Sequence, residues 1–310
     1  MAVGHDLSAS YLNKQLQQLV EAGAETGEPC MLDGFEDRYA EVNGTRLHYV
    51  VGGEGEPLVL MDGWPRTWHG LIKILPLLAK RFRVIAVDYR GQGDSDKPAD
   101  GYDKKTMAKD VYKLVRSLGY AQVNIAGGDV GAMVAYAFAA NYPQATKKLA
   151  LWEGGPFSQI FLDIVGPFPK PGEPNAWWYP LSQIEGLPAK LLAGRFRHVI
   201  DWSIDHFAVH PERIGEESRA IYAAAYNDPD ALAAAFGVYK TFHQDLADNN
   251  AYPPLTMPVL GLGAQYVAAV QAMMDGKATD IRYRTIKDSG HYVAEEQPEA
   301  LAAELEKFFG

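Results

Sequence analysis

The feature that most constrains the fold of this chain is a regular alternation of short apolar runs with helical patterns. It begins with two runs, RYAEV and RLHYVV, on either side of Asn43-Gly44, a dipeptide typical of β-hairpin turns. Further short apolar runs, which suit buried strands, are PLVLM, FRVIAVD, QVNIAG, KKLALWE, MPVLGLG and IRYRTIKD. Helical patterns separate most of these runs, at 68–80, 104–118, 130–141 and 298–309. The order predicts an α/β fold with a mostly parallel sheet that is covered on both faces.

The alternation is interrupted between Glu153 and about Pro258 by a stretch without a clear apolar strand. This stretch carries many aromatic residues among helical segments and begins with a linker rich in glycine and proline. We interpret it as a helical cap inserted between two strands of the sheet. The predicted domains are a polar N-terminal arm with a short helix at 1–34, an α/β core at 35–153 and 258–310, and the cap at 154–257.

Composition narrows the class of protein and its partners. The net charge of −10 and the isoelectric point near 5.3 argue against nucleic acid and anionic membrane surfaces as partners. A single cysteine, Cys30, rules out an internal disulfide and a metal site built from cysteines. No stretch approaches the about 20 apolar residues that span a bilayer, and the N-terminus lacks the pattern of a signal peptide. We therefore expect a soluble, cytoplasmic protein, although a removed presequence would leave no trace; a homodimer is compatible with the sequence.

The segment NIAGGDVGAM looks at first like a phosphate-binding loop, but its aspartate, Asp129, would repel an anion. Gly127, Gly128, Asp129, Val130 and Gly131 instead fit the nucleophile elbow, with Asp in place of the usual serine. The glycines permit a tight turn between a strand and a helix. The Val130 N–H and the start of the helix then face any negative charge that forms there. The alternative is that Asp129 merely caps the helix.

A histidine and a second acid follow Asp129 in the order that this architecture requires. His291 lies in a loop after the run IRYRTIKD, and Glu153 follows the run KKLALW. The other position for an acid, after MPVLGLG, reads 264–266 as Ala-Gln-Tyr, with no carboxylate before Asp275. Glu153 is therefore the better candidate to orient His291. The alternatives are a solvated Glu153 at the cap linker and a structural or surface histidine.

Four segments together resemble the epoxide hydrolase branch of the α/β-hydrolase family: DGWPRTWHG, VIAVDYRGQGDSDKP, AGGDVGAMVAYAFAANYP and DSGHYVAEEQPE. The resemblance runs from about residue 36 to the C-terminus and is strongest outside the cap. It implies an α/β-hydrolase fold with a helical cap. It also implies that Asp129 opens an epoxide to form an ester, which water activated by His291 and Glu153 hydrolyses to a vicinal diol. This chemistry needs no metal and no organic cofactor, and water is the second substrate.

The resemblance assigns further roles around Asp129. The oxyanion hole would be formed by the N–H groups of Trp64 and Val130. In the cap, Tyr239 matches a tyrosine that protonates the epoxide oxygen. The first cap donor should fall in NAWWYPLSQ, where no tyrosine or histidine aligns unambiguously; Trp177 and Trp178 lie nearest, with Tyr179 next. The tryptophan pair would either contact a small, mainly apolar substrate or pack the cap against the core.

Two histidines of the family pattern are absent. Asp62 stands where the motif before the oxyanion proline usually begins with histidine, and Gly128 stands before the nucleophile where histidine is frequent. A carboxylate at Asp62 close to Asp129 would raise the pKa of one of the two, unless Arg66 or Arg90 compensates it. A salt bridge, a shared proton and a wide separation all remain open. We hypothesise that Asp62 belongs to a substrate pocket altered for a different substrate or chemistry.

Two other functions compete with epoxide hydrolysis. Haloalkane dehalogenases share the Asp nucleophile but often place a tryptophan directly after it, where this chain has Val130. Trp64 and the cap tryptophans could still supply two indole N–H groups to a halide. Fluoroacetate-type enzymes place arginines just after the nucleophile, and DVGAMVAY has none. The third alternative is a catalytically altered homologue that only binds a ligand.

Overall fold

The computed structural model describes residues 32–164 and 176–310. The predicted short helix of the N-terminal arm and part of the predicted Gly/Pro-rich linker lie outside these residues. Among the residues described, no helix is both long enough and apolar enough to cross a membrane.

The described chain contains one sheet of eight strands. Its order is β1-β2-β4-β3-β5-β6-β7-β8; β2 pairs antiparallel with β1 and β4, and the other pairs are parallel. The mostly parallel sheet is thereby confirmed, and all eight predicted runs are strands. Their bounds are β1 Phe35–Val42, β2 Thr45–Gly52, β3 Glu56–Met61, β4 Phe82–Val87, β5 Val123–Gly128, β6 Thr146–Trp152, β7 Val259–Gly263 and β8 Ile281–Thr285.

The predicted hairpin is present between β1 and β2. Asn43 has φ 50° and Gly44 has φ 79°, while Val42 pairs with Thr45 across the turn. Two successive positive φ values match the twist of the flanking strands, which is why this two-residue turn favours Asn-Gly.

Helices cover both faces of the sheet because its inner strands, β3 to β7, are apolar on both faces. In β3, Leu58 and Leu60 pack into one apolar cluster, whereas Val59 and Met61 point into the other. The core helices are α1 Leu75–Leu78, α2 Lys104–Ser117, α3 Val130–Asn141, α11 Val267–Met273, α12 Val293–Glu296 and α13 Pro298–Phe309. The predicted bounds of α3 and α13 are confirmed.

The prediction of one helix over residues 68–80 was wrong. The chain forms a short 3₁₀ turn at Trp68–Leu71 and then the one-turn helix α1. Pro76 lies in the first turn of α1. Because proline has no N–H and its ring clashes with the carbonyl four residues before it, a continuous helix cannot pass through this position.

The residues described between β6 and β7 form helices and no strand. These cap helices are α4 Gln159–Ile164, α5 Trp178–Ser182, α6 Leu187–Leu192, α7 Arg197–Phe207, α8 Glu216–Ala225, α9 Pro229–Lys240 and α10 Phe242–Ala251. The carboxyl ends of β3, β5 and β6 lead directly into Asp62, Asp129 and Glu153, and the loop after β8 carries His291. The topology therefore brings these four residues to one edge of the sheet.

Candidate active site

Asp129 lies at a strained turn between β5 and α3. Its φ of 50° and ψ of −121° are unusual for a residue with a side chain, and such conformations concentrate at functional sites. The turn needs its glycines, since a Cβ on Gly131 would lie 2.4 Å from the Met61 carbonyl oxygen and one on Gly127 would lie 2.3 Å from the Gly131 carbonyl oxygen. The Asp129 side chain makes no helix-capping hydrogen bond. The geometry therefore favours the elbow interpretation over the capping alternative.

The two carboxylate oxygens of Asp129 have different partners. The backbone N–H of Trp64 donates to Oδ1 at 3.1 Å, and Oδ2 lies 3.4 Å from His291 Nε2. Burial acts to raise the pKa of Asp129, but His291, the Val130 N–H and the Arg66 charge together lower it. Asp129 is therefore ionised at neutral pH, with Oδ1 in the predicted oxyanion hole.

His291 lies between two carboxylates. Its Nδ1 is 3.6 Å from Glu153 Oε2, on the side away from Asp129. Burial acts to lower the pKa of His291, but Asp129 and then Glu153 outweigh it and raise that pKa to about 9. The imidazole is accordingly protonated at neutral pH.

Glu153 is held in place by the backbone of the neighbouring strand. Its other oxygen, Oε1, accepts a short hydrogen bond from the Ala264 N–H at the end of β7, and its side chain is almost fully buried. Ala264 is the first residue after MPVLGLG, the segment that was the other candidate location for the acid. That position thus supplies a donor to Glu153 instead of a carboxylate of its own.

Asp62 forms a buried salt bridge with Arg66. Its Oδ1 lies 2.9 Å from Arg66 Nη2 and accepts a hydrogen bond from the Gly63 N–H at 2.8 Å, and burial, opposed by Arg66, raises its pKa to about 6. Arg90 pairs instead with Asp110. Because the Asp62 side chain has no accessible surface, this placement favours support of the Trp64 loop over contact with substrate.

Arg66 faces a second buried acid that the sequence reasoning missed. Glu295 Oε2 is 3.9 Å from Arg66 Nη1, and Tyr222 donates to Glu295 Oε1 at 2.9 Å. Burial raises the pKa of Glu295 to about 7, with Arg66 opposing the shift. The only signal in the sequence is an acidic pair, Glu295-Glu296, inside a helical pattern, and such residues are usually exposed.

Trp152 accounts for the glycine that precedes Asp129. Gly128 and Trp152 are paired neighbours on β5 and β6. A Cβ on Gly128 would lie 2.1 Å from Trp152 Nε1 and 2.5 Å from Cε2, and the indole is completely buried. The indole therefore occupies the space into which a histidine at position 128 would project.

Two cap tyrosines lie together above Asp129. The rings of Tyr179 and Tyr239 are 5.3 Å apart, and the Tyr239 ring is 5.5 Å from that of Trp64. Burial raises the pKa of both phenols and the charge of Asp129 raises it further. Both hydroxyls therefore keep their protons. Of the three neighbouring aromatic residues in NAWWYPLSQ, Tyr179 is the one whose ring packs beside that of Tyr239.

The cap tryptophans differ in their distance from the site. Trp178 packs on Trp64 at 5.9 Å and on Phe207, whose ring is 6.4 Å from that of His291. Trp177 packs on Trp178 at 6.0 Å and on Trp202 at 5.8 Å. Within the part of the chain that the structure describes, the buried indole N–H groups of Trp64 and Trp178 have no hydrogen-bond acceptor. The arrangement favours Trp178 over Trp177 as the residue closer to a substrate.

Comparisons with known proteins show the family to which the chain belongs, that of the α/β-hydrolases. The sequence profile of the α/β-hydrolase fold family matches residues 56–201. A soluble epoxide hydrolase from a Corynebacterium species is 33% identical over 282 residues, covering 87% of this chain and 96% of the relative. A fluoroacetate dehalogenase from a Burkholderia species is 25% identical over 293 residues, covering 90% of this chain and 95% of the relative. The crystal structure of wild-type Cfl2 from Burkholderia cenocepacia matches with a TM-score of 0.82 and 36% identity, covering 91% of this chain and 98% of that one.

Proposed function

The chain is an enzyme of the epoxide hydrolase-like branch of the α/β-hydrolase family, and we propose that it opens a small epoxide through an ester on Asp129 to give a vicinal diol. The main support for this proposal is that the two carboxylate oxygens of Asp129 have different partners. Oδ1 accepts the Trp64 N–H, while Oδ2 lies on the side of His291. This is the geometry in which one oxygen attacks and the other becomes the carbonyl of an ester.

In the first step, Asp129 Oδ2 attacks an epoxide carbon and the C–O bond of the ring breaks. The released oxygen takes a proton from the tyrosine pair above it, with Tyr239 as the main donor and Tyr179 as its neighbour. The high pKa values of these phenols suit this role, because both remain protonated until the alkoxide forms. The imidazolium of His291 can then restore the proton to the tyrosinate.

In the second step, the neutral His291 removes a proton from water, and the water oxygen attacks Cγ of the Asp129 ester. The negative charge that develops on Oδ1 faces the N–H groups of Trp64 and Val130. Because esterification removes the charge of Asp129, the pKa of His291 must fall from its value of about 9 in the free enzyme. The Cγ–Oδ2 bond then breaks, and the departing diol oxygen takes the proton of the new hydroxyl on Cγ, so that Asp129 returns as a carboxylate and His291 as an imidazolium. The same histidine thus changes from acid to base within one cycle.

The surroundings of Asp129 favour an apolar substrate with a flat or aromatic group. Trp64 is ringed by aromatic side chains at centroid distances of 5.5–5.9 Å, namely Trp178, Phe196, Phe236 and Tyr239. Such walls bind substrate by burying its apolar surface, and few polar groups remain to orient it. We therefore infer an aryl- or alkyl-substituted epoxide.

A single turnover in water labelled with oxygen-18 tests the covalent route. With enzyme in excess over an aryl epoxide, the first diol should contain no label, and Asp129 should carry it, because the ester oxygen leaves with the product. Label in the first diol would show direct attack by water and would contradict the proposal. The absence of turnover with a broad set of epoxides would also contradict it.

Replacement of the main proton donor should slow the first step. Tyr239→Phe keeps the buried ring but removes the hydroxyl, so we expect ester formation to fall by about a hundredfold. Ester should not accumulate, because the slowed step precedes it. Stopped-flow measurement of the first turnover checks this result; an unchanged rate would transfer the role to Tyr179. Tyr39→Phe, which changes an exposed tyrosine, serves as the control.

A second candidate is hydrolysis of a carbon–halogen bond, favoured by the indole N–H groups of Trp64 and Trp178, which are buried and have no acceptor among the described residues. Indole N–H groups are suitable donors to a departing halide. The similarity to a fluoroacetate dehalogenase is consistent with this chemistry. Halide release from an alkyl halide, measured beside diol release from an epoxide of matched size, distinguishes the two activities.

A further inference from the structure

We propose that cap helix α8 positions the oxyanion hole through a stripe of polar side chains that reaches the Trp64 loop. The inference rests on the proposed function, since it concerns the hole that serves the Asp129 ester. It concerns residues outside the candidate catalytic set, and it makes the cap a part of the catalytic geometry as well as a wall of the substrate pocket.

The stripe consists of Ser218, Tyr222 and Tyr226, the last being the residue that directly follows α8. A spacing of four residues places successive side chains on one face of a helix. Each of the three hydroxyls makes a contact with the core. Ser218 Oγ lies 3.3 Å from His69 Nε2, Tyr222 donates to Glu295 Oε1 at 2.9 Å, and Tyr226 donates to the Arg66 carbonyl at 2.8 Å.

The loop from Asp62 to Arg66 carries the Trp64 N–H and is held from two sides. On the core side, Gln92 Nε2 lies 3.3, 3.4 and 3.0 Å from the carbonyl oxygens of Asp62, Gly63 and Arg66. On the cap side, the Tyr226 hydroxyl supplies the second donor to the Arg66 carbonyl. Because one amide nitrogen is divided among three acceptors, we expect the shorter and undivided Tyr226 bond to be the stronger constraint on this end of the loop.

The stripe also reaches the charged end of Arg66. Tyr222 fixes Glu295, Glu295 faces the Arg66 guanidinium, and Arg66 binds Asp62 at the start of the loop. Both tyrosines are almost fully buried, and burial raises their pKa values well above the usual range, so both act as neutral donors. One helix of the cap is thus connected to both ends of the loop that presents the Trp64 N–H.

Loosening the loop should affect the two chemical steps differently. In the first step the Trp64 N–H stabilises the Asp129 carboxylate, whose charge disappears as the ester forms, so a weaker bond does not slow this step. In the second step the same N–H stabilises the oxyanion, so a weaker bond slows ester hydrolysis. A purely structural role of Tyr226 would instead reduce the amount of active enzyme and leave the ratio of the two rates unchanged.

The test compares Tyr226→Phe with the matched control Tyr136→Phe. Tyr136 is a completely buried tyrosine of α3 whose hydroxyl has no hydrogen-bond partner among the described residues. We expect amide hydrogen exchange in peptides covering residues 62–66 to be at least about fivefold faster in Tyr226→Phe and unchanged in the control. We also expect ester hydrolysis to slow about tenfold, as for loss of one hydrogen bond, while ester formation stays within about twofold.

Unchanged exchange in the loop, or an equal decrease of both rates, would overturn the inference. If Tyr226→Phe fails to fold, Tyr222→Phe provides the same comparison through Glu295 and Arg66, with faster exchange expected in the same peptides. The exchange measurement needs no substrate. It therefore decides the positioning role even if the wild-type protein forms neither ester nor diol, an outcome that would reject the proposed function instead.

Discussion

His291→Gln is expected to halt the reaction at the Asp129 ester. A glutamine at this position cannot accept a proton from water, so ester hydrolysis should fall by about a thousandfold or more. Ester formation should survive, because the Val130 N–H and the Arg66 charge still favour the Asp129 carboxylate, and the protons for the epoxide oxygen come from the cap tyrosines. The protein should therefore accumulate as a covalent adduct with the epoxide.

Mass spectrometry of the intact protein and of the peptide containing Asp129 measures the adduct. His198→Gln, which replaces an exposed histidine of the cap helix α7, should form no lasting adduct and should turn over normally. If His291→Gln remained unmodified by an epoxide that the wild-type protein hydrolyses, Asp129 would not be the nucleophile. If it turned over at the wild-type rate, His291 would not be the base.

The pH dependence of the two half-reactions follows from the same group. His291 has a raised pKa of about 9 in the free enzyme because the Asp129 charge and the hydrogen bonds to Asp129 and Glu153 favour the imidazolium. In the ester the charge of Asp129 is absent, so the pKa of His291 falls and the neutral base is present at lower pH. Ester hydrolysis should therefore increase with pH through a midpoint below about 9.

Periodicity and turn residues were sufficient to predict the sheet and the position of the elbow. The runs that became β3 to β7 are apolar on both faces, which follows from burial between two layers of helices. The glycines around Asp129 are required by backbone contacts of the turn itself, such as that of Gly131 with Met61. Signals of this kind are local, and local signals can be read from one sequence.

The supporting residues could not be predicted because their contacts join distant parts of the chain. Arg66 meets Glu295 across more than two hundred positions, and Tyr222 reaches the same acid from the cap. Polar residues have no periodic signature that separates a buried member from an exposed one. Tyr179 was uncertain for a related reason, since short cap helices do not fix which of three neighbouring aromatic residues packs beside Tyr239.

Because Gly128 pairs with Trp152, substitutions of Gly128 are expected to have a large effect on the stability of the protein. Gly128→His is expected to destabilise the protein by about 3 kcal/mol or more, because the imidazole must displace a completely buried indole from its position. Gly128→Ala should already cost about 1–3 kcal/mol, since even a methyl group would overlap the indole. Gly215→Ala is the control for the added methyl group, because a Cβ there would meet no atom within 4 Å.

Two explanations of the glycine at position 128 can be separated: the Trp152 indole excludes a side chain there, or the turn tolerates no side chain at this position. A double-mutant cycle that combines Gly128→His with Trp152→Ala distinguishes them. Trp152→Ala alone should cost about 3–5 kcal/mol through the cavity it leaves. If the indole is what excludes the histidine, the double variant should be more stable than the sum of the single effects by about 0.5–3 kcal/mol, because the imidazole then enters the vacated space. Chemical denaturation of the four proteins gives this coupling. Additive effects would mean that the strained backbone at Asp129, and not the Trp152 indole, requires the glycine. That backbone is also held independently of the indole, because the Asp129 N–H donates to the Trp152 carbonyl at 3.2 Å.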